Sequence, residues 1–356
     1  MTPSELTAGT VRQLALDCGF ELAGVTPAVP APDRRRYHRW AEAGYAGQMQ
    51  YLTDRRAALR DDPRRLLPSA RSVISVGRLY NTPWPYSTQF DEAGRGWISR
   101  YAWGSDYHAG MRIGLERLER ALRERVESAM EARILVDTAP FLERTYARLA
   151  GLGWIGKNTC LINQQRGSWF FLGELLVSLA IEPEAETPPP DRCGSCTRCI
   201  DACPTAALVP SETLVPSGTG YTLDSRLCIS YFTIELRGPV PEPHRAGMGA
   251  NLFGCDICQD VCPWNRRAPA GAEADDEPRC FAPPLDRMAA LSEADFRRMF
   301  QGTPVTRARY SGFLRNVAIA MGNGKRPEYR PALERLAASP DALVAEHALW
   351  ALQQLP

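Results

Sequence analysis

A mixed α+β fold is the class that the sequence predicts, and three features support it. Helical and strand-like segments alternate between residues 4 and 181, eight cysteines fall between residues 193 and 262, and the last part of the chain has helical periodicity. A chain of 356 residues is long enough for about two to three domains. We expect an α/β domain at 1–185, a cysteine-rich domain at 186–290 and a helical domain at 291–356.

The N-terminal elements follow from the spacing of apolar residues. Leu115, Leu118 and Leu122 recur at helical spacing, whereas the β-branched run SVISVGRLY is typical of a core strand. The same argument predicts helices over 4–18, 110–131 and 141–150, and strands over 20–26, 72–80, 134–136 and 169–181.

The C-terminal segment is predicted to be a pair of helices separated by Ser339 and Pro340. An apolar stripe that includes Leu333, Leu336 and Val344 is typical of a HEAT-type repeat. One or two such pairs are too few to stand alone, so we expect them to pack on the rest of the protein. The proline- and acid-rich residues 181–190 and 268–284 are predicted to be a linker and a loop.

The cysteine spacing indicates iron–sulfur clusters. Residues 193–204 carry the run C-x2-C-x2-C-x3-C-P of bacterial ferredoxins, and residues 255–263 repeat it without its first cysteine. Two cubane [4Fe–4S] clusters need eight thiolates, which predicts a two-cluster ferredoxin-like domain. In the bacterial pattern the fourth cysteine of each run ligates the other cluster. The predicted ligands are Cys193, Cys196, Cys199 and Cys262 for cluster 1, and Cys203, Cys228, Cys255 and Cys258 for cluster 2.

Zinc is the main alternative, because paired C-x2-C is also zinc spacing. Disulfides are disfavoured, since the N-terminus has no secretory or twin-arginine signature and dense C-x2-C runs favour metal. No apolar run approaches the roughly 20 residues of a membrane span. We therefore expect a cytoplasmic protein that does not enter a membrane. The remaining Cys18, Cys160 and Cys280 are expected to be ordinary thiols.

The charge distribution points to a polyanionic partner. The net charge is only +1, but the segment from Arg297 to Arg330 contains eight arginines and lysines against one acidic residue, Glu328. Such a local excess suits a phosphate backbone. The alternative is a solvated basic surface without a partner.

Asp137 is the candidate acid. It follows a predicted strand, and a carboxyl group at the C-terminal end of a strand in an α/β sheet faces the usual ligand crevice. It would act as a general acid if burial raised its pKa. The alternative is an N-cap of the helix that begins near Pro140. Arg144 in that helix is a natural partner or substrate clamp.

Two further segments gather polar residues. The run GLGWIGKNT places three glycines and Lys157 in a short loop, which suits contact with an anionic group of a cofactor. It is not a Walker A motif and it follows a helix, so dinucleotide binding is not expected. The run RYAWGSDYH contains His108, for which a structural role is the alternative to a catalytic one.

Several motifs together give the chain a family resemblance. RYAWGSDYH, VDTAPFLER, GLGWIGKNT, the double ferredoxin run, CISYFTIELRGP and FGCDICQDVCPWN occur in this order, followed by RNVAIAMGN and the helical tail. Over essentially its whole length the chain resembles the epoxyqueuosine reductases. CISYFTIELRG and FGCDICQDVCPWN are the most specific motifs, because cluster spacing alone is shared by many ferredoxins.

The resemblance implies a cobalamin-dependent iron–sulfur enzyme that reduces the epoxide of epoxyqueuosine to the cyclopentene of queuosine in the anticodon loop of tRNA. It implies a cobalamin-binding N-terminal domain without a histidine ligand, which agrees with the absence of a D-x-H-x-x-G run, since position 111 is methionine. An external flavodoxin or ferredoxin would supply electrons, and we expect a monomer. The segment 210–220 looks longer than is usual in the family and is expected to form a surface loop.

The residue roles also come from the resemblance. Asp137 becomes the proton donor, with Tyr107, His108 and Arg144 near the substrate. Contacts with cobalamin are expected from Arg60, Arg100, Asp137, Lys157, Ser168, Ser230 and Tyr231, and contacts with tRNA from Arg237, Arg315 and Lys325.

Two other functional classes are weighed against this one. A corrinoid reductive dehalogenase acting on a small molecule is disfavoured by the missing twin-arginine signal and by the basic segment. A ferredoxin-type electron carrier would not need the long N-terminal domain.

Overall fold

The structure is a computed structural model that describes residues 6–127, 129–184, 188–211, 220–271 and 278–356. Its strands are β1 Leu22–Pro27, β2 Ser72–Leu79, β3 Trp97–Ile98, β4 Ala132–Leu135, β5 Trp154–Ile155, β6 Leu161–Ile162, β7 Phe170–Val177, β8 Leu208–Pro210, β9 Tyr221–Leu223 and β10 Asn251–Phe253. Its α-helices are α1 Ala8–Asp17, α2 Arg34–Glu42, α3 Tyr107–Arg123, α4 Glu143–Leu149, α5 Arg198–Asp201, α6 Glu242–Arg245, α7 Ile257–Asp260, α8 Leu285–Ala289, α9 Glu293–Phe300, α10 Arg309–Gly324, α11 Arg330–Ala337 and α12 Ala342–Gln354.

A four-stranded sheet of order β1-β2-β7-β4 forms the centre of the N-terminal part, and its neighbouring strands are all antiparallel. The α+β class is therefore correct, but the predicted α/β character of this domain is wrong. Alternation of helices and strands along the chain does not fix strand direction, and here the pairs do not form parallel crossovers.

Helices cover both faces of this sheet. On one face α1 and α3 bury Val11, Leu115 and Leu118 against Leu175 of β7. On the other face α4 contributes Tyr146 to a core with Val73, Leu135 and Leu176. Because side chains alternate along a strand, Glu174 of β7 lies on the same face as Leu176, which is the face that α4 covers.

Helix α3 begins earlier than predicted, and this changes the position of the candidate site. The Asp106 carboxylate accepts a hydrogen bond from the backbone N–H of His108 (3.1 Å) and caps the helix. Tyr107 and His108 are thus in the first turn of α3, where the ring of Tyr107 stacks on Phe171 of β7.

The C-terminal helices pack on the rest of the protein, as predicted. Helices α11 and α12 flank the predicted break at Ser339 and Pro340, and both contact α10. Their buried residues belong to one core that also contains Trp97, Phe253 and Leu285 from earlier in the chain. No helix among the described residues is long and apolar enough to cross a bilayer.

Candidate active site and cluster centres

Asp137 stands in the loop between β4 and α4 with a left-handed backbone (φ 46°). Its Oδ2 lies 3.2 Å from Nε2 of His108 and 3.8 Å from Nη1 of Arg307. Its backbone N–H donates to Oε1 of Glu143 (2.6 Å). Helix α4 starts at Glu143 with Leu142 as its N-cap residue, so the N-cap alternative for Asp137 is wrong.

His108 lies between two carboxylates. Its Nδ1 is 2.6 Å from Oδ1 of Asp106, and its ring stacks on Tyr107, which in turn stacks on Phe171. The hydrogen bond with Asp137 raises the pKa of His108. Burial alone would raise the pKa of Asp137, but the hydrogen bond from His108 and the charges of Arg307 and His108 together outweigh it, and the pKa is lowered. When the pair holds a single proton, that proton therefore resides on the imidazole.

The structure brings together the predicted Tyr107, His108 and Asp137, and Tyr107 helps to lower the pKa of Asp137. Sequence reasoning missed Arg307, whose Nη2 pairs with Oε1 of Glu235 (2.6 Å) next to this site. No local signal identifies it, because it follows Asp137 by a long stretch of chain. Arg237, a predicted tRNA contact, is exposed, and its Nη1 donates to the carbonyl oxygen of Arg307 (3.1 Å).

A cavity of about 410 Å³ opens beside the Asp137 loop. Arg60 and Arg144, both predicted site residues, line it. Arg60 is buried and donates to the carbonyl oxygen of Tyr51 (3.3 Å), and Arg144 donates to that of Thr159 (2.5 Å). Other lining residues that sequence reasoning missed include Arg36, Tyr37, Trp40, Thr222 and Ser225.

Of the seven predicted cobalamin contacts, Arg60 alone lines this cavity, and Arg100, Lys157 and Ser168 are bonded elsewhere. The buried Arg100 donates to the carbonyl oxygens of Thr82 and Trp84, both at 2.9 Å. Ser168 is buried and its hydroxyl donates to Gln259. Lys157 bridges to the loop of the first cysteine run, as its Nζ donates to the carbonyl oxygens of Gly194 (2.7 Å) and Cys196 (3.0 Å). All three serve internal contacts instead, so we do not assign them to the cofactor.

The cysteines predicted for cluster 1 surround a cavity of about 260 Å³, whose sulfur-bearing lining is Cys193, Cys196, Cys199 and Cys262. This is the grouping that ligand exchange between the two runs requires. The indole N–H of Trp154 is buried, has no hydrogen-bond partner among the described residues and lies next to Cys193. An orphaned N–H donor at this place suits a cluster, whose sulfur atoms accept hydrogen bonds.

The cysteines predicted for cluster 2 form a second group. Burial and the nearby Cys228 and Cys203 raise the pKa of Cys255. The backbone N–H groups of Ser230 and Tyr231 point at the Cys228 sulfur, so these two predicted cofactor contacts support a cluster ligand. Tyr231 also accepts a hydrogen bond through its hydroxyl from the N–H of Gln48 (2.8 Å).

The three remaining cysteines differ. Cys280 is buried in the core and Cys18 is half-buried, as expected of ordinary thiols. Cys160, by contrast, lies beside Cys258 of the second group and raises its pKa. Among the described residues no three His, Cys, Asp or Glu side chains converge closely enough to hold a single metal ion.

The basic segment is less available than its composition suggests. Arg315 is fully buried and donates to the carbonyl oxygens of Leu236 (2.9 Å) and Gly238 (2.8 Å), so its predicted contact with tRNA is wrong. Arg297 and Arg298 pair with acids of their own helix, and Arg326 pairs with Glu328.

What remains of the basic segment is a smaller set of free cations. In the part of the chain that the structure describes, the exposed residues of the segment that form no ion pair are Arg309, Lys325 and Arg330. Most of the predicted 210–220 insert, residues 212–219, lies outside the described residues.

Comparisons with known proteins agree with this geometry. Residues 60–138 match the family model "Epoxyqueuosine reductase QueG, DUF1730", and residues 192–265 match the "4Fe-4S double cluster binding domain". The chain is 39% identical to the epoxyqueuosine reductase of Xanthomonas campestris over 98% of this chain and 96% of that protein. It is 37% identical to that of Escherichia coli, over 98% and 89% respectively.

Solved structures show the same likeness. An epoxyqueuosine reductase crystallised with an epoxyqueuosine-modified tRNA stem loop has a TM-score of 0.84 at 28% identity, with 97% of this chain and 89% of that one covered. The Bacillus subtilis enzyme, with its catalytic aspartate loop swung out of the active site, has a TM-score of 0.73 at 25% identity, with 98% of both chains covered. The chain therefore belongs to the epoxyqueuosine reductase family of oxidoreductases.

Proposed function

We propose that this protein reduces epoxyqueuosine to queuosine in the anticodon loop of tRNA, using cobalamin and electrons relayed by two [4Fe–4S] clusters. The observation that carries the proposal is the His108–Asp137 pair, joined through the N–H of Asp137 to Glu143 in the lining of a large cavity, in a chain that also groups its cysteines into two sets of four. A solved relative is bound to a tRNA stem loop with the epoxide nucleoside, and another is described with a catalytic aspartate loop.

The reaction sets the requirements for the site. Removal of the epoxide oxygen, which leaves an alkene and water, consumes two electrons and two protons. His108 and Asp137 hold one proton between them where the opening epoxide oxygen needs it. Tyr107 lies beside Asp137 and helps to keep its carboxyl group ionised by lowering its pKa. Arg307, held by Glu235, places a positive charge beside the same oxygen atoms.

The lining of the 410 Å³ cavity fits cobalamin. Its arginines Arg36, Arg60 and Arg144 suit the phosphate and amide groups of the cofactor, and Tyr37 and Trp40 offer flat apolar surface to its ring. When bound, the cofactor supplies low-potential cobalt chemistry that amino-acid side chains lack. We assign Arg60 and Arg144 to its binding.

The clusters would connect this cavity with the surface. Ser225 lines the cavity and lies close in sequence to Cys228, and Thr159 lines it next to Cys160, the neighbour of Cys258. Cluster 2 is thus the one that serves the cavity. The cluster 1 cavity is lined by the exposed Arg192 and Arg198. An acidic donor such as a flavodoxin or ferredoxin suits that side.

For tRNA we propose Arg237 and Lys325 as backbone contacts, because both are exposed and Arg237 adjoins Arg307 at the site. We also propose a monomer that acts in the cytoplasm. Its architecture would be a cobalamin-binding domain at 1–185, a two-cluster domain at 186–290 and a HEAT-like domain at 291–356. The packing of α11 and α12 side by side supports the last of these.

The test is mass spectrometry of nucleosides from tRNA that carries epoxyqueuosine. The tRNA is incubated anaerobically with the cluster-loaded protein, cobalamin and a chemical reductant. We expect epoxyqueuosine to be replaced by a nucleoside lighter by one oxygen atom, and cobalamin to be required. Unchanged epoxyqueuosine with fully loaded protein would contradict the proposal.

A further inference from the structure

A short hairpin, built from β5, β6 and the loop between them, touches both cysteine runs. Trp154 pairs with Ile162 across the hairpin, and in the loop the N–H of Gly156 donates to the carbonyl oxygen of Cys160 (2.8 Å). Gly153 lies so close to the opposite strand that an added Cβ would collide with the carbonyl oxygen of Ile162. The hairpin is therefore a rigid support for the side chains that it carries.

Lys157 in this loop contacts the first cysteine run. Its Nζ donates to the carbonyl oxygens of Gly194 (2.7 Å) and Cys196 (3.0 Å), and its side chain lines the cavity of cluster 1. The side chain is half-buried, so solvent screens its charge less than the charges of Arg192 and Arg198, which line the same cavity but are exposed. Lys157 thus places a fixed positive charge beside the predicted ligands of cluster 1.

The next residue, Asn158, makes the corresponding contact with the second cysteine run. Its Nδ2 donates to the carbonyl oxygen of Cys258 (3.3 Å), a predicted ligand of cluster 2, and its Oδ1 accepts the N–H of Cys160 (3.2 Å). Asn158 is buried, and its amide carries no net charge. The loop therefore offers a cation to the first run and only a neutral donor to the second.

Trp154 adds a hydrogen-bond donor on the cluster 1 side. It packs with Cys193 and Cys262, two of the four predicted ligands, and its ring meets that of Trp264 edge-on at a centroid distance of 5.0 Å. Its buried indole N–H has no partner among the described residues. A buried donor without an acceptor is unfavourable, whereas a sulfur atom in the adjoining cavity would accept this N–H.

We propose that Lys157 and Trp154 raise the reduction potential of cluster 1 and have no comparable effect on cluster 2. The step concerned is the transfer of one electron from the external flavodoxin or ferredoxin to the cluster. It adds one negative charge to the cluster and its thiolates, and no bond forms or breaks. A fixed cation and an N–H donor stabilise that added charge, since net charge and hydrogen bonds to the sulfurs both set the potential of such a cluster.

The inference rests on the clusters of the proposed function but not on its substrate. Lys157 and Trp154 do not touch the epoxide, so they are positioning residues and not catalytic ones. Their effect should appear in the midpoint potential of cluster 1, even without tRNA and cobalamin. A hairpin with a purely structural role would change the cluster content of a variant and not the potential of the clusters that remain.

The experiment is a redox titration of the anaerobically reconstituted full-length protein, followed by electron paramagnetic resonance. The spectrum of Cys262→Ala, which should keep only cluster 2, assigns the signals. In Lys157→Gln we expect the ratio of reduced to oxidised cluster 1 at a fixed applied potential to fall about 10-fold, equivalent to about 59 mV for a one-electron couple. Trp154→Phe keeps an aromatic ring without the N–H and should shift cluster 1 in the same direction. The midpoint potential of cluster 2 should stay unchanged in both variants.

Two controls separate the charge of Lys157 from other effects. Lys157→Arg keeps the charge and should retain the wild-type potential of cluster 1. Arg198→Gln is the matched control, because it removes an exposed cation from the lining of the same cavity and should cause a much smaller shift. The iron content of every variant distinguishes a lost cluster from a shifted potential, and Trp154→Phe decides alone if Lys157→Gln loses cluster 1.

An unchanged potential of cluster 1 in fully loaded Lys157→Gln and Trp154→Phe would overturn the proposal. An equal shift of both clusters would also overturn it, because the effect would not be specific to cluster 1. Wild-type protein that binds no iron after reconstitution would instead contradict the clusters of the proposed function.

Discussion

Nε2 of His108 lies 3.2 Å from Oδ2 of Asp137, and this contact decides which of the two residues holds the proton. The hydrogen bond raises the pKa of the imidazole and lowers that of the carboxyl group. The acid of this site is therefore the pair and not the carboxyl group alone. An imidazolium that is hydrogen-bonded to a carboxylate presents its N–H proton in a fixed direction. A substrate atom that takes the place of the carboxylate is therefore well placed to receive this proton.

Replacement of Asp137 with asparagine tests the pair. We expect Asp137→Asn to retain both clusters, cobalamin and tRNA, yet to turn over at least ~10²-fold more slowly in a single-turnover assay, because asparagine neither holds nor orients the proton. Asp106→Asn is the control: it keeps the cap of α3 and removes the outer carboxylate of His108, so we expect a smaller loss. Near-wild-type turnover of Asp137→Asn would exclude the acid role.

The His108–Asp137 pair makes the free energy of unfolding depend on pH. The raised pKa of His108 means that its contribution is fully present below the unfolded value of 6.5 and is lost as the pH rises through the folded value. The lowered pKa of Asp137 means that its contribution is present above 3.8 and is lost in acid below it.

We therefore expect the urea midpoint of the cluster-loaded wild type to exceed that of His108→Gln at pH 6, and the difference to shrink by pH 9. A difference that is constant between these two pH values would show that the imidazole carries no extra proton in the folded protein.

Substitutions at two residues of the basic segment should have opposite effects on tRNA binding and on stability. Each phosphate contact contributes about −0.7 to −0.9 to the log–log salt slope of binding. Lys325→Ala should lower the slope for tRNA by about one unit without affecting the fold. Arg315→Ala should leave the slope unchanged and destabilise the protein by on the order of 3 kcal/mol, because several buried carbonyl groups lose a charged donor.

Arg297→Ala is the matched control for this measurement, since Arg297 is exposed but paired with Glu293. Filter binding or fluorescence anisotropy over a range of salt concentrations gives the slopes. An unchanged salt slope in Lys325→Ala would show that Lys325 makes no phosphate contact and is only solvated.

Cys262 tests the ligand exchange between the cysteine runs. After anaerobic reconstitution we expect about eight iron and eight sulfide per chain. Cys262→Ala should lose cluster 1 and keep cluster 2, although Cys262 belongs to the second run, because it lines the cavity of the first. Electron paramagnetic resonance of the reduced protein distinguishes the two clusters. Cys18→Ser, at a half-buried thiol outside both groups, should retain both, and loss of cluster 2 alone in Cys262→Ala would sink the assignment.

The residues of the site that could be predicted from the sequence are those that belong to a recognisable pattern within a short stretch of chain. The cysteine groups are predicted by their fixed spacing. Asp137 is predicted by its position directly after a strand, although the argument from that position assumed a parallel sheet. The start of α3 was misplaced because an aspartate N-cap at Asp106 sits inside a run that also carries turn-forming residues. Strand direction was not predictable, since alternation of elements does not specify it.

Residues that reach the site through tertiary packing had no such signal. Arg307 meets Asp137 only because the helical turn Pro304–Ala308 and α10 pack against the short helix Tyr231–Glu235. Glu174 lies in an apolar strand. The periodicity of that strand predicts that the side chain is buried, but not that its carboxyl group has no hydrogen-bond partner among the described residues. The predicted contact of Arg315 with tRNA is wrong because a count of positive charges does not show that its guanidinium group is buried and stabilises the core.

The contact between Arg307 and the Asp137 loop has a consequence for how the protein is made. A ribosome synthesises the strand before Asp137 and both cysteine runs well before it reaches Arg307, and the helices that hold Arg307 in place come last. All eight cluster ligands are thus present in a chain that still lacks the cation beside Asp137. A chain truncated before Arg307 would keep the ligands for electron storage and lose the charge that accompanies proton transfer, so the two halves of the reaction depend on different parts of the sequence.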